Sequence, residues 1–299
     1  MHNVKAADYK ARLRDPKVVA ALTQKASQWN ALTSSLAQKR LTLAGNSGGS
    51  DAVLLEEDEL QKILKVTEKL LSVNPDPMYL YNQRREVLLM RENAKGVSID
   101  PPLFQIDTEL SMTATCLKRN PKAYGPWFHR KWAIRQFLVG DVSKDQVVPL
   151  LNKEMDLCAQ FLLLDERNFH CWNYRRFVVS CLLASAKGDM TLVDGSWETG
   201  FDSMGKQIAC GDVHSACVVD TDNNEIRNIL ISEWDFTTEK IESNFSNYSA
   251  YHYRSKLIPL ISSMNKEKSK IEVVREELEI INQVKQKAFH LHGFSFFSC

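Results

Sequence analysis

Few side chains in this 299-residue chain combine the type and spacing that chemistry requires. Cys210, His214 and Cys217 offer three soft ligands, but a structural zinc site takes four in tightly spaced pairs. His290 and His292, near the C-terminus, make no better case, and His2 is one histidine on an N-terminal arm. Lys122 is the more pointed candidate. It follows Asn120-Pro121, a helix stop, so it stands at the start of the next helix. By itself that placement also describes a solvated lysine at a helix start.

The elements that would position Lys122 are repeated ones. An aromatic, two spacers and an arginine recur as Tyr81–Arg84, Trp127–Arg130, Trp172–Arg175 and Tyr251–Arg254. The first three copies stand 46 and 45 residues apart, and Asn74-Pro75, Asn120-Pro121 and Asp165-Glu166 precede them at a near-constant distance. Such a period marks stacked supersecondary units, each unable to bury its apolar face alone. Leu60, Ile63, Leu64, Thr67 and Leu70 show the three- and four-residue spacing of an amphipathic helix. The expected architecture is all-α, an α-α superhelix (a right-handed solenoid). Its helix pairs fall at 57–72/78–93, 102–118/124–139, 144–164/168–184 and 233–243/248–262.

The aromatics at these places read as knobs filling the space between helix pairs. The arginines lie on the same helical face, bonding to neighbouring turns or facing a partner. Residues 1–50 read as a helix (17–40) with a flexible stretch at Gly45–Ser50, residues 51–290 as the repeat domain, and 291–299 as an anomalous tail. From Trp172 to Tyr251 the register breaks, with 34 residues in excess of the preceding spacing. The glycine-bearing segment at about 186–229 reads as a surface loop, or else as sequence foreign to the fold such as an unspliced segment. A last helix, 270–288, places Ile271, Val274, Leu278, Ile281 and Val284 on one face and opens a fifth repeat without a second helix. The C-terminus therefore reads as truncated.

Thirty-eight basic and 37 acidic residues leave a net charge of +1, so no global field draws nucleic acid. No apolar run suits a signal peptide or a transmembrane helix. Seven cysteines without a regular framework suit a reducing compartment. The expected location is the cytoplasm.

The stretches Asn120–Arg130, Asp165–Phe177 and Asn244–Ser255 resemble the α-subunit repeats of protein prenyltransferases. The last two are most similar to the Rab-type (type II geranylgeranyl) branch of that family. The likeness covers about 55–185 and 233–288. It implies a heterodimer in which helix pairs wrap a β subunit that holds the catalytic zinc and the lipid site. The activity implied is transfer of geranylgeranyl from geranylgeranyl diphosphate to C-terminal cysteines of Rab GTPases, presented with a Rab escort protein. Lys122 matches the lysine that donates to the departing pyrophosphate, and Tyr124 faces the same opening. His2 matches a Met-His start and is a weak candidate ligand to the partner's zinc, with no metal expected on this chain.

Gly125 stands where CaaX-type enzymes carry a glutamine that holds the substrate's carboxyl end, which favours the Rab type. Tyr81 and Tyr251 depart from the usual tryptophan. The immunoglobulin-like and leucine-rich domains of some Rab-type α subunits are missing from the sequence. Two other readings stand beside this one: a non-catalytic helical-repeat scaffold, and the α subunit of a CaaX farnesyl- or geranylgeranyltransferase.

Overall fold

Apolar residues at helical spacing, interrupted by short turns rich in asparagine and proline, give a chain without a strand among its described residues. The computed structural model describes residues 14–45, 50–94, 106–140, 142–188, 223–264, 271–272, 274–279 and 282–283. They fall in two units, residues 1–129 and 130–299, each treated by itself.

The first unit holds α1 (Pro16–Gly45), α2 (Ser50–Val73), α3 (Met78–Ala94), α4 (Ile106–Arg119) and the start of α5 (Tyr124–Val139). On α2, Leu60, Ile63, Leu64, Thr67, Leu70 and Leu71 are buried, which is one helical face. That face meets α3 and α4, and α1 lies against α2. The helices claim Gly45 and Ser50, so the stretch expected to be flexible is shorter; residues 46–49 lie outside the described residues.

The second unit holds the rest of α5, then α6 (Lys144–Leu164), α7 (Phe169–Lys187), α8 (Asn224–Ser243) and α9 (Tyr248–Met264). Helix α7 is the central element, packing on α6, α8 and α9. Its continuous run from Phe177 to Ala184 is buried, as befits a helix covered on most sides. Cys158, Cys171 and Cys181 are buried here as free thiols, filling space as small apolar groups.

Two boundaries correct the sequence expectation. Helix α7 runs to Lys187 and closes on Gly188 at φ 72°, a left-handed cap that suits glycine. Helix α8 begins at Asn224, nine residues before the expected 233, with Asn223 accepting from the backbone N–H groups of Glu225 and Ile226. The periodicity of α8 is easily missed because its inward positions include Glu233, Thr237 and Lys240 beside Ile226 and Leu230. Asn223 Nδ2 also donates to Ala186 O at 3.2 Å, so the chain on either side of residues 189–222 meets at one point. Those residues, with Ile281, Val284 and the 291–299 tail, lie outside the described residues. Residues 271–272, 274–279 and 282–283 are helical, with Ile271 and Leu278 exposed and Glu277 buried.

Candidate functional site

Each helix pair is joined by a four-residue turn with the same internal bonding. Asn74, Asn120, Asp165 and Asn244 each accept, through the side-chain oxygen, from the backbone N–H two residues on, at 2.8–3.1 Å. This local bond stands in for a helical one and ends the first helix. Seven residues after that side chain comes the anchor aromatic. Tyr81 Oη donates to Pro75 O (3.0 Å), Trp127 Nε1 to Pro121 O (2.9 Å) and Trp172 Nε1 to Glu166 O (2.8 Å). Tyr251 Oη, in the fourth copy, is buried without a partner among the described residues.

This turn sets Lys122. Its backbone N–H is held by Asn120 Oδ1, and its side chain is exposed where α5 begins. Tyr124, in the first turn of α5, is 54% exposed and stacks on Phe128 with ring centroids 6.4 Å apart. The N-terminus of a helix carries partial positive charge and unsatisfied N–H donors, so an ammonium beside it makes a place suited to an anion.

Gly125 follows at once and has a packing reason of its own. A Cβ on it would lie 2.2 Å from Tyr81 Cε2, inside the neighbouring ring. The glycine therefore reports close approach of α3 and α5 in the first unit, as well as whatever it says about substrate.

The anchor arginines are buried and stitch one repeat to the next. Arg84 forks onto Glu109 with both bonds at 2.6 Å, and Arg130 onto Glu154 at 2.5 and 2.7 Å. Arg175 does the same with Glu233 (2.9 and 2.6 Å), and Arg254 with Glu277 (2.6 and 2.9 Å). In three copies Nη1 also donates to a carbonyl twenty residues upstream: Leu64, Met155 and Trp234. Arg84 and Arg175 each thus tie their own helix to the first helices of two successive pairs.

In three of the four copies the residue before the arginine is not a spacer. His129 Nε2 lies 2.7 Å from Glu109 Oε2, while Tyr174 and Tyr253 donate to Glu154 and Glu233 at 2.5 and 2.7 Å. Burial pushes the phenols of Tyr174 and Tyr253 well up, so they remain donors. Burial likewise lowers His129, against the pull of Glu109. Arg85 Nε reaches His129 Nδ1 at 3.4 Å, which agrees with a neutral ring protonated on Nε2. Burial alone would raise Glu109, but the bonds from His129 and Arg84 outweigh it and hold that carboxyl at about 2.

The match called "Protein prenyltransferase alpha subunit repeat" falls on residues 106–137, 151–182 and 230–261, each segment running from the helix that supplies the glutamate to the arginine phrase. The chain belongs to the protein prenyltransferase α-subunit repeat family. Its units are helical hairpins, the building unit of the α-α superhelix class. The Tyr81–Arg84 phrase lies outside the matched segments, yet it makes the same fork as the three prenyltransferase repeats.

Similar proteins carry the name geranylgeranyl transferase type-2 subunit alpha. The Homo sapiens protein is 35% identical over 199 residues, 67% of this chain and 25% of the relative. The Candida albicans protein is 29% identical over 225 residues, 74% of this chain and 47% of the relative. The Saccharomyces cerevisiae protein is 26% identical over 218 residues, 73% and 51%. The chain therefore spans about a quarter of its mammalian relatives and about half of these yeast ones.

Against this family background the remaining candidates are quickly placed. His2, Cys210, His214, Cys217, His290 and His292 lie outside the described residues. Among the described residues no group of three or more His, Cys, Asp or Glu side chains is arranged to hold a metal. No described helix is long and apolar enough to cross a membrane. Sequence reasoning missed Glu109, Glu154, Glu233 and Glu277. A usable signal was present in three of them: a glutamate stands twenty residues before His129, Tyr174 and Tyr253.

Proposed function

We propose that this chain supplies the repeat region of the α subunit of a heterodimeric protein geranylgeranyltransferase of the Rab type, acting in the cytoplasm. In this reading a β subunit carries the zinc and the lipid site. The pair transfers geranylgeranyl from its diphosphate to C-terminal cysteines of Rab GTPases brought by an escort protein. Zinc, when bound by the β subunit, would supply the substrate cysteine as a thiolate. No described residue of this chain is assigned to it.

The observation that carries the reading is a contrast within one repeat. Trp127 and Arg130 are buried in the stack, whereas Lys122 and Tyr124 are exposed at the start of the same helix. Lys122 is the cation for the departing pyrophosphate, and the first N–H groups of α5 add to its field. Tyr124 offers a hydroxyl and a ring face at the same opening. The charge they would meet grows only as the carbon–oxygen bond breaks, so their effect falls on the transition state.

Lys122→Ala tests this in a heterodimer reconstituted with a type-2 β subunit and shown intact by size-exclusion chromatography. The expected result is a single-turnover rate lowered by about 10²–10³ with lipid affinity little changed. An unchanged rate would favour the scaffold reading, which draws support from the engagement of all four anchor arginines in joining repeats.

A further inference from the structure

We infer that Asn120 and Asp76 are positioning residues for Lys122, acting as a bridge between adjacent turns that fixes where the ammonium group starts. The inference rests on the catalytic reading of Lys122. The Asn120 side chain is used at both ends. Its Oδ1 accepts from the Lys122 backbone N–H at 3.1 Å, and its Nδ2 donates to Asp76 Oδ1, also at 3.1 Å. Asp76 is itself set by its backbone N–H on Asn74 Oδ1 at 3.1 Å. Ala123 N–H returns to Asn120 O, and Trp127 Nε1 holds Pro121 O. Lys122 and Ala123 are thereby tied to Asn120, Asn120 to the turn of the preceding repeat, and Pro121 to its own helix.

The arrangement recurs in the second unit. Asn244 Oδ1 accepts from Ser246 N–H, and Asn244 Nδ2 donates to Glu166 of the preceding turn. A bridge built from an asparagine and an upstream carboxylate is thus present at two of the four turns, and in one of them the held residue is the exposed lysine. The bridge is solvent-exposed, so its loss should cost little folding stability. A displacement of about 1 Å in a charged donor, by contrast, is felt strongly in a rate.

Exchange of the two partners separates the roles. Asn120→Asp keeps an acceptor for the Lys122 N–H but removes the donor and sets two carboxylates face to face. Asp76→Asn combined with Asn120→Asp restores a donor and an acceptor in reverse order. In the reconstituted heterodimer, Asn120→Asp should lower the single-turnover transfer rate about tenfold, leave affinity for geranylgeranyl diphosphate unchanged, and recover when Asp76→Asn is added. In a Lys122→Ala background, Asn120→Asp should cost nothing further.

Three results overturn the inference: an unchanged rate for Asn120→Asp, no recovery on exchange, or an equal cost with and without Lys122. If Lys122→Ala lowers the rate while Asn120→Asp does not, only the bridge is refuted. If Lys122→Ala itself changes nothing, the catalytic reading falls and takes this inference with it. Asp76→Ala, which removes one end and adds no charge, serves as the second variant should Asn120→Asp fail to assemble.

Discussion

The ring of Tyr81 occupies the space into which a side chain on residue 125 would grow: a Cβ on Gly125 would stand 2.2 Å from Tyr81 Cε2 and 2.7 Å from Cδ2. Tyr81 is fully buried and held by its hydroxyl on Pro75 O, so the ring has little freedom to withdraw. Gly125→Ala is therefore an overpacking change, expected to cost about 1–3 kcal/mol. Tyr81→Leu should recover part of that loss in the double variant. Urea unfolding of the four proteins of the cycle measures it, and strictly additive costs would show that the two residues do not oppose each other.

The Arg175–Glu233 fork joins side chains 58 positions apart, across the interruption in the repeat period. Arg175→Met leaves a buried carboxylate with Tyr253 as its remaining partner, and breaking a buried pair in this way costs about 3–5 kcal/mol. Adding Glu233→Gln removes the stranded charge but keeps an acceptor for Tyr253. The double variant should unfold at higher denaturant than Arg175→Met alone; a lower midpoint would count against a stranded charge as the cause.

Acid should weaken the first unit in two stages. His129 is held neutral in the fold, its pKa lowered by burial, whereas an unfolded histidine takes up a proton near pH 6.5. The unfolded chain then binds more protons, so stability falls as pH drops below about 6.5. Glu109, held at about 2 against an ordinary 4.5, contributes stability above pH 4.5 that is lost as pH falls toward 2. His129→Gln places there the residue type that Gln83 provides in the first repeat, a donor that does not titrate. Its denaturant midpoint should vary less between pH 7 and 5 than that of the parent protein, and parallel profiles would remove His129 as the source.

Removing residues 190–221 tests whether that segment contributes to the packed helices. Asn223 Nδ2 meets Ala186 O at 3.2 Å, so the chain already closes at this point, and a linker of about four residues reaches roughly 13 Å. A shorter loop also lowers the entropy of closure slightly. The melting temperature is expected to stay the same or rise. A loss above about 2 kcal/mol, the scale of a damaged core, would show that the segment packs.

Sequence by itself determined the parts that local physics controls. Asparagine–proline pairs and helical spacing of apolar residues specify where helices stop and which face turns inward, because both act within a turn or two of chain. Hence the helix pairs around Tyr81, Trp127, Trp172 and Tyr251 were legible, as was Lys122 beside its helix stop. Tertiary structure decided which carboxylate each arginine would meet. Glu109, Glu154, Glu233 and Glu277 lie 25, 24, 58 and 23 residues beyond their arginines, a distance that no local rule reads. It also decided that His129, Tyr174 and Tyr253 share those carboxylates, and that Gly125 answers to Tyr81. Such pairings depend on how closely one helix approaches another, and the low dielectric of the packed interior requires each buried charge to find a partner wherever the chain happens to bring one.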